Sequence, residues 1–193
     1  MTAATPSPGP MTTLPGYVAG IWTIDPMHSE IGFSARHLMV SKVRGKFTRF
    51  GGVIETGERP EDSRVTATID LDSVDTGAPD RDEHLRSADF FEVATHPTMT
   101  YRSTGVRVDR DGGYALEGEL TLKGVTRSVS LQLEVGGFGP DPFGGVRAGF
   151  TASGEIRRSD FGVAFNPVTE AGGVVVGDKV QLHLEIEAIL QQS

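Results

Sequence analysis

Apolar and polar side chains alternate over long stretches of this chain, which is typical of β-strands with one buried face. Segment 179–190 shows this best, with apolar residues at every even position: Val180, Leu182, Leu184, Ile186, Ala188 and Leu190. A helix with 3.6 residues per turn would distribute these side chains around its axis, so the pattern predicts a strand. Segments 65–71, 116–122 and 129–135 alternate in the same way.

Turn residues separate the alternating segments. Lys123-Gly124 joins two of them and predicts a tight hairpin, because Gly124 can adopt a positive φ. The remaining alternating segments predict five further strands, at 20–24, 30–38, 46–55, 99–108 and 146–157. The 25 glycines and 11 prolines agree with frequent turns. Roughly eight closely spaced strands predict an all-β fold, either a sandwich or a closed antiparallel barrel.

Segment 76–91 breaks the alternation and predicts one short helix. Pro79 comes early, acidic residues follow, and helix-forming residues such as Leu85 come last, which is the usual order at the start of a helix. A single helix in an all-β chain often covers one end of a barrel. We expect Phe90 and Phe91, which follow the helix, to help close that end.

The composition of residues 1–16 predicts a disordered tail, since four prolines among Thr, Ser and Gly leave too few apolar groups for burial. The remaining residues, 17–193, are long enough for one domain with a real core. The chain has neither the basic and apolar regions of a secretory signal nor a stretch of about 20 apolar residues. These features predict a cytoplasmic location and no membrane span.

Composition excludes several classes of function. The net charge of −8 argues against a nucleic-acid partner, because phosphate binding needs a basic surface. The absence of cysteine excludes disulfides, thiolate–zinc sites and thiol catalysis. The chain also lacks the local motifs of nucleophile elbows, phosphate-binding loops and zinc proteases, so we predict no catalytic residues.

Several segments together resemble one family. They are WTIDPMHSEIGFSARHLMVSKVRGKF from Trp22, SVDTGAPDRDEHLRSADFFEV, GELTLKGVTRSVSL, RRSDFGV and VGDKV. In this order they resemble the YceI-like family of lipid-binding barrels, from about Gly20 to Leu190. The resemblance implies an extended, lipocalin-like barrel of eight antiparallel strands, whose central pore holds a polyisoprenoid or similar lipid as its ligand, with no other cofactor. Many relatives are exported to the periplasm, and this chain departs from them in lacking a signal.

The interior-facing positions predict which residues would line such a pore. Alternation alone does not distinguish a packed barrel from a hollow one, although small residues such as Ala67 and Gly118 leave space. The candidates for the pore wall are Phe33, Leu38, Phe47, Met99, Leu120, Phe150 and Phe161. His37 shares the parity of Phe33 and Ala35, so it is expected to face inward, either as a hydrogen-bonded core imidazole or as a polar contact for the ligand.

Segment 31–54 is basic in an otherwise acidic chain, with Arg36, Lys42, Arg44, Lys46 and Arg49 and no acid. One interpretation is a solvated hairpin face. The other is a cationic mouth for the phosphate or quinone oxygen of a lipid headgroup. In the second case we expect Lys42 and Arg44 to lie near one end of the barrel.

The histidines do not show the spacing of a zinc site, so no metal is predicted. We expect His28 to bond Asp25 within a turn, His84 to pack or pair on the helix, and His183 to face solvent. An Asp–Arg pair is expected to fix the turn at 158–162.

These features predict a non-catalytic barrel that carries or sequesters a long isoprenoid. Two alternatives stay open: a small hydrolase or isomerase acting on such lipids through His28, His37 or Asp25, and a fully packed barrel that serves as an interaction module. The sequence also leaves open a homodimer and a transient contact with a membrane.

Overall fold

Strands account for most of the residues that the computed structural model describes, which are 14–38, 40–109, 112–167 and 175–192. The elements in chain order are β1 (Gly20–Ile24), β2 (Glu30–His37), β3 (Ser41–Phe47), β4 (Phe50–Thr56), β5 (Arg64–Asp70), β6 (Val74–Asp75), α1 (Pro79–Arg86), β7 (Thr98–Val108), β8 (Tyr114–Leu122), β9 (Val125–Pro140), β10 (Val146–Arg157) and β11 (Val176–Leu190).

The sheet closes on itself through β1, which pairs with β4 on one side and with β11 on the other. β1 and β2 are two halves of one interrupted strand, because both pair with β11. β3 and β4 form a second interrupted strand opposite them. Counted in this way, the described residues form a closed barrel of eight antiparallel strands, with α1 at one end. The predicted fold class is therefore confirmed.

The predicted continuous strand at 46–55 is wrong at its centre, where Thr48 and Arg49 separate β3 from β4. The backbone amides of both residues donate hydrogen bonds to Ser73 Oγ, at 3.1 Å and 3.0 Å. Ser73 is buried and lies beside the short strand β6. A side chain more than twenty residues away thus replaces the ladder hydrogen bonds at this point, and no local pattern could have indicated it.

The hairpin between β8 and β9 is as predicted. Lys123 and Gly124 both have positive φ, 51° and 74°, which is the arrangement of a type I′ turn. A Cβ atom at position 124 would lie 3.0 Å from the ring of His96, a tight contact, so glycine is favoured here by space as well as by conformation.

The helix predicted within 76–91 is confirmed as α1, which marks what we call the helix end of the barrel. Lys123 Nζ donates to the carbonyl of Ala88, 2.9 Å away, which ties the β8–β9 turn to the segment after α1. The His84 ring on α1 lies 5.0 Å from the Phe165 ring, edge to face. The β2–β3 turn and the first residues of β11 lie at the same end, because Leu38 N donates to Val175 O.

The opposite end, which we call the N-terminal end, consists of residues 14–19, the connection 57–63 and the turn 141–145. Tyr17 OH donates to Gly57 O at 2.8 Å, and its ring lies 5.3 Å from the Phe138 ring. The predicted tail, residues 1–16, lies outside the described residues as far as position 13. Leu14 is already part of a turn, since its carbonyl accepts a hydrogen bond from Tyr17 N at 3.1 Å.

Candidate functional site

The barrel encloses an elongated cavity of about 260 Å³, to which every one of its eight strands contributes side chains. On β11 the wall residues are Val176 and an alternating run from Val180 to Ile186, and the run alone corresponds to about 20 Å of extended strand. Leu14 and Tyr17 line the cavity at the N-terminal end, and Phe91 lines it at the helix end. The period-two alternation of the sequence thus places one face of each strand on the wall of a hollow interior.

The wall is apolar except at six residues: Tyr17, Thr56, Ser63, Tyr101, Tyr114 and Arg158. No Asp, Glu, His or Lys lines it among the described residues. Tyr101 OH lies within hydrogen-bond distance of two carbonyl oxygens, those of Leu116 at 3.1 Å and Val129 at 3.2 Å. Burial raises the pKa of Tyr101, so the phenol stays neutral. A ligand here would contact mostly hydrocarbon.

Arg158 is the one charged group on the described part of the wall, and only 6% of it is exposed. Its guanidinium donates four hydrogen bonds, all to backbone carbonyls. Nε donates to Gly177 O at 3.1 Å, Nη1 to Val163 O and Phe165 O at 2.8 Å and 2.9 Å, and Nη2 to Val176 O at 3.0 Å. Burial lowers the pKa of this group. Arg158 therefore ties the segment after β10 to the start of β11.

The prediction that an Asp–Arg pair fixes the turn at 158–162 is wrong. No carboxylate of the described residues forms an ion pair with Arg158, because carbonyls from two segments converge on it instead. The acid that holds this turn is Asp178, which accepts hydrogen bonds from Ser159 N at 3.0 Å and Ser159 Oγ at 2.9 Å. Gly162 then ends the turn with a φ of 73°.

Five of the predicted wall residues do lie on the wall: Phe33, Phe47, Met99, Leu120 and Phe150. The Phe33 and Phe47 rings lie 5.5 Å apart, and Phe47 is 5.9 Å from Phe91. These aromatic rings extend from β2 to the segment after α1, so they form a continuous apolar surface toward the helix end. Their role in binding a ligand stays a prediction.

Three predicted residues do not lie on the wall: His37, Leu38 and Phe161. His37 keeps the inward parity of β2 but is the last residue of that strand, and it does not line the cavity although its partner in the ladder, Val176, does. Leu38 has a φ of 49°, which turns the chain away from the barrel and leaves the side chain partly exposed. Phe161 is buried in the core, but it lies in a turn, where strand parity does not apply.

Lys42 and Arg44 lie on the outer face of β3, close to the helix end. Lys42 is the second residue of the strand and is paired with Arg36, and Arg44 is paired with Ser34. Both cations are exposed, and neither lines the cavity. A headgroup contact for these two residues stays a prediction.

The chain matches the family model of the YceI-like domain over residues 22–188. It belongs to the YceI-like family. This YceI-like protein is 39% identical over 178 residues to the protein YceI of Salmonella newport, a match that covers 91% of this chain and 90% of that protein. It is 40% identical over 166 residues to a UPF0312 protein of Pectobacterium atrosepticum, covering 86% and 83% of the two chains.

Solved structures share the barrel. The YceI protein of Campylobacter jejuni is 29% identical, with a TM-score of 0.68 over 81% of this chain and 90% of its own. BcnA of Burkholderia cenocepacia has a TM-score of 0.74 at 22% identity, covering 85% of this chain and 98% of BcnA. A polyisoprenoid binding domain of Saccharophagus degradans has a TM-score of 0.65 at 20% identity, covering 90% and 100%. The last two likenesses show a common fold.

A cluster of polar residues around His28 of this YceI-like protein lies outside the cavity, at the break between β1 and β2. The predicted turn bond is confirmed, since His28 Nδ1 lies 2.8 Å from Asp25 Oδ2. Arg147 Nη1 donates to the same oxygen at 2.8 Å and to Glu187 Oε1. Hydrogen bonds from His28 and Arg147 lower the pKa of Asp25 to about 2.

Asp25, His28 and Glu187 are residue types that bind metals, and their ligand atoms lie within 4.8 Å of one another. Arg147 already supplies a positive charge between the two carboxylates, so this is an ion-pair network on the surface of the barrel. The other two histidine expectations also hold. His84 Nε2 lies 2.9 Å from Asp89 Oδ2, and His183 is exposed.

Sequence reasoning missed the residues that close the N-terminal end of the cavity: Leu14, Tyr17, Pro60 and Ser63. None of them belongs to an alternating strand, so periodicity carries no signal for them. Among the described residues, no helix has the length and apolar composition needed to cross a membrane.

Proposed function

We propose that this protein binds a long apolar lipid chain, an isoprenoid, inside the barrel and carries or sequesters it without chemical change. The observation that carries the proposal is the elongated cavity, whose wall comes from all eight strands. Most of its polar groups have protein partners: Thr56 Oγ1, for example, donates to Val18 O and accepts from Trp22 Nε1. The related barrel from Saccharophagus degradans, described as a polyisoprenoid binding domain, supports the same ligand class.

Apolar burial alone suffices to hold such a ligand. Each CH₂ group moved from water into an apolar interior contributes about 0.8 kcal/mol to the free energy of binding, so ten of them contribute about 8 kcal/mol before the cost of ordering the ligand. A cavity that extends along about 20 Å of strand accommodates a chain segment rather than a compact molecule. The ligand would therefore be selected by its hydrocarbon more than by hydrogen bonds.

The cavity wall also favours binding over catalysis. The hydrolase or isomerase alternative depends on His28, His37 or Asp25, and none of these lines the cavity. The described wall offers no carboxylate or imidazole for proton transfer to an enclosed lipid. The packed interaction module is disfavoured by the cavity itself.

The test is native mass spectrometry of the purified full chain, together with organic extraction. We expect a mass above that of the polypeptide and release of an unmodified isoprenoid.

Ala152, a small buried residue on the wall, offers a way to fill the cavity. Ala152→Phe should abolish most of the lipid retention, whereas the matched change Ser153→Phe, at the exposed neighbour on the same strand, should not.

An exclusively apo mass that also fails to take up an added polyprenol would contradict the proposal, and turnover of the lipid would favour the enzyme. The cytoplasmic location stays a prediction that cell fractionation checks. Light scattering would show whether the protein forms a homodimer.

A further inference from the structure

The turn between β2 and β3 presents two apolar side chains to solvent at the helix end. Leu38 is 44% exposed and Val40 is 84% exposed. Leu38 has a φ of 49°, in the left-handed region that a bulky residue rarely adopts. A single exposed apolar residue is ordinary on a protein surface, so the exposure of these two residues indicates a binding surface only together with the residues around them.

Those surroundings are cationic. Arg36, Lys42 and Arg44 are exposed on the two strands that lead to the turn. Arg36 and Lys42 stand directly opposite each other in the β2–β3 register, an arrangement of like charges that destabilises a strand pair. Among the described residues, no carboxylate forms an ion pair with any of the three cations. In a chain of net charge −8, a retained repulsion of this kind points to an anionic partner.

The turn is also next to the end of the cavity. Leu38 N donates to Val175 O at 2.9 Å, and the following residue, Val176, pairs with His37 and lines the cavity. An apolar turn with flanking cations therefore borders the helix end of the interior. Any surface that binds this turn would face the helix end of the cavity.

We propose that Leu38 and Val40 insert into the interface of an anionic bilayer, while Arg36, Lys42 and Arg44 bind lipid phosphates. An apolar tip with a basic rim matches the layering of such a surface, where acyl chains lie beneath charged headgroups. The docking does not depend on the proposed function. Only its purpose, loading or delivery of the lipid in the cavity, rests on that function.

The distribution of charged residues favours the helix end over the N-terminal end as the site of membrane contact. Phe143 is 90% exposed in the turn 141–145, so it is the competing candidate for membrane contact. Its own turn contains Asp141, whose carboxylate accepts hydrogen bonds from Phe143 N and Gly145 N. The nearby Arg147 is already paired with Asp25, Glu187 and Asp141. An exposed aromatic ring whose own turn holds a carboxylate, and whose nearby arginine is already paired, is less suited to an anionic surface than the basic β2–β3 turn.

The experiment is flotation of the full chain with vesicles of phosphatidylcholine alone and of phosphatidylcholine mixed with phosphatidylglycerol. We expect binding to the anionic vesicles that weakens with salt. Each cation near such a surface contributes about fivefold in affinity, so Lys42→Ala/Arg44→Ala should bind about 25-fold more weakly. Val40→Ser should also bind more weakly. The matched control at the other end, Arg64→Ala/Phe143→Ser, should bind as the parent does.

Equal binding of parent and Lys42→Ala/Arg44→Ala, or equal binding to neutral and anionic vesicles, would overturn the proposal. Absence of binding to both would also overturn it and would assign the turn to a protein partner. Native mass spectrometry of the same variants separates docking from the proposed function, because the docking variants should still retain lipid. If they lose an added polyprenyl phosphate in solution while vesicle binding is unchanged, the two cations belong to the headgroup of the bound lipid. Near-ultraviolet circular dichroism confirms that each variant is folded.

Discussion

The two ends of this barrel are built differently. At the N-terminal end, hydrogen bonds tie residues 14–19 to the strands: Thr56 Oγ1 accepts from Trp22 Nε1 at 2.8 Å and from Gly20 N at 3.0 Å, and donates to Val18 O at 2.7 Å. Tyr17 covers this network, and its hydroxyl donates a hydrogen bond to the carbonyl of Gly57. No ligand is needed to satisfy these groups.

The helix end is closed by segments that lie outside the eight strands of the barrel. Phe90 and Phe91 follow α1, and the turn after β10 is attached to β11 through the four carbonyl bonds of Arg158. The exposed cations of the β2–β3 turn lie beside it. From this difference we predict that the N-terminal end mainly stabilises the fold and that a bound lipid would pass at the helix end.

The largest effect is expected at the N-terminal end. Trp22→Ala removes a side chain that is fully buried and deletes the donor to Thr56. Loss of a buried tryptophan costs about 3–5 kcal/mol, because a cavity remains. Urea denaturation should show this decrease in the free energy of unfolding, and the half-exposed neighbour Ile21→Ala should show a change within about 0.5 kcal/mol. Similar values for the two variants would contradict a stabilising role for this end.

An intermediate effect is expected at the helix end. Arg158→Met removes four hydrogen bonds, of which only the one to Val163 O is fully buried. Leaving that carbonyl without a donor costs about 1–3 kcal/mol, while water can replace the donor at the three partly buried carbonyls. Arg157→Met, at the exposed neighbour, is the matched control and should change the free energy of unfolding little. The comparison of the two ends predicts that Arg158→Met also accelerates lipid exchange, followed by transfer of a fluorescent isoprenoid to vesicles. Unchanged exchange would argue against passage at this end.

The smallest effect is expected at Asp25, at the break between β1 and β2. The pKa of Asp25 is lowered to about 2, below its ordinary value of 3.8, by His28 and Arg147. A carboxylate with a lowered pKa stabilises the fold above its unfolded-state pKa, and this contribution is lost as the pH falls toward 2. The melting temperature should therefore decline between about pH 4 and pH 2, and less steeply in Asp25→Asn. An identical slope for both proteins would show that this ion pair adds nothing to acid stability.

Local patterns in the sequence determined most of the strands, the β8–β9 hairpin and the helix. Period-two alternation assigns each side chain to a face of its own strand, which is why Phe33, Met99 and Phe150 were correctly placed on the inner face. Turn chemistry is equally local: Gly124 tolerates a positive φ wherever the hairpin packs.

Only the tertiary structure decided where the wall begins and ends. Barrel closure depends on the pairing of Trp22 with Leu190, residues from opposite ends of the domain. Ser73 interrupts the β3–β4 strand from a distant turn, and carbonyls from two segments, rather than the nearby acid, hold Arg158. His37 has the right parity but does not line the cavity. Alternation carries no information about position along the barrel axis, because that position is set by contacts between residues far apart in the chain.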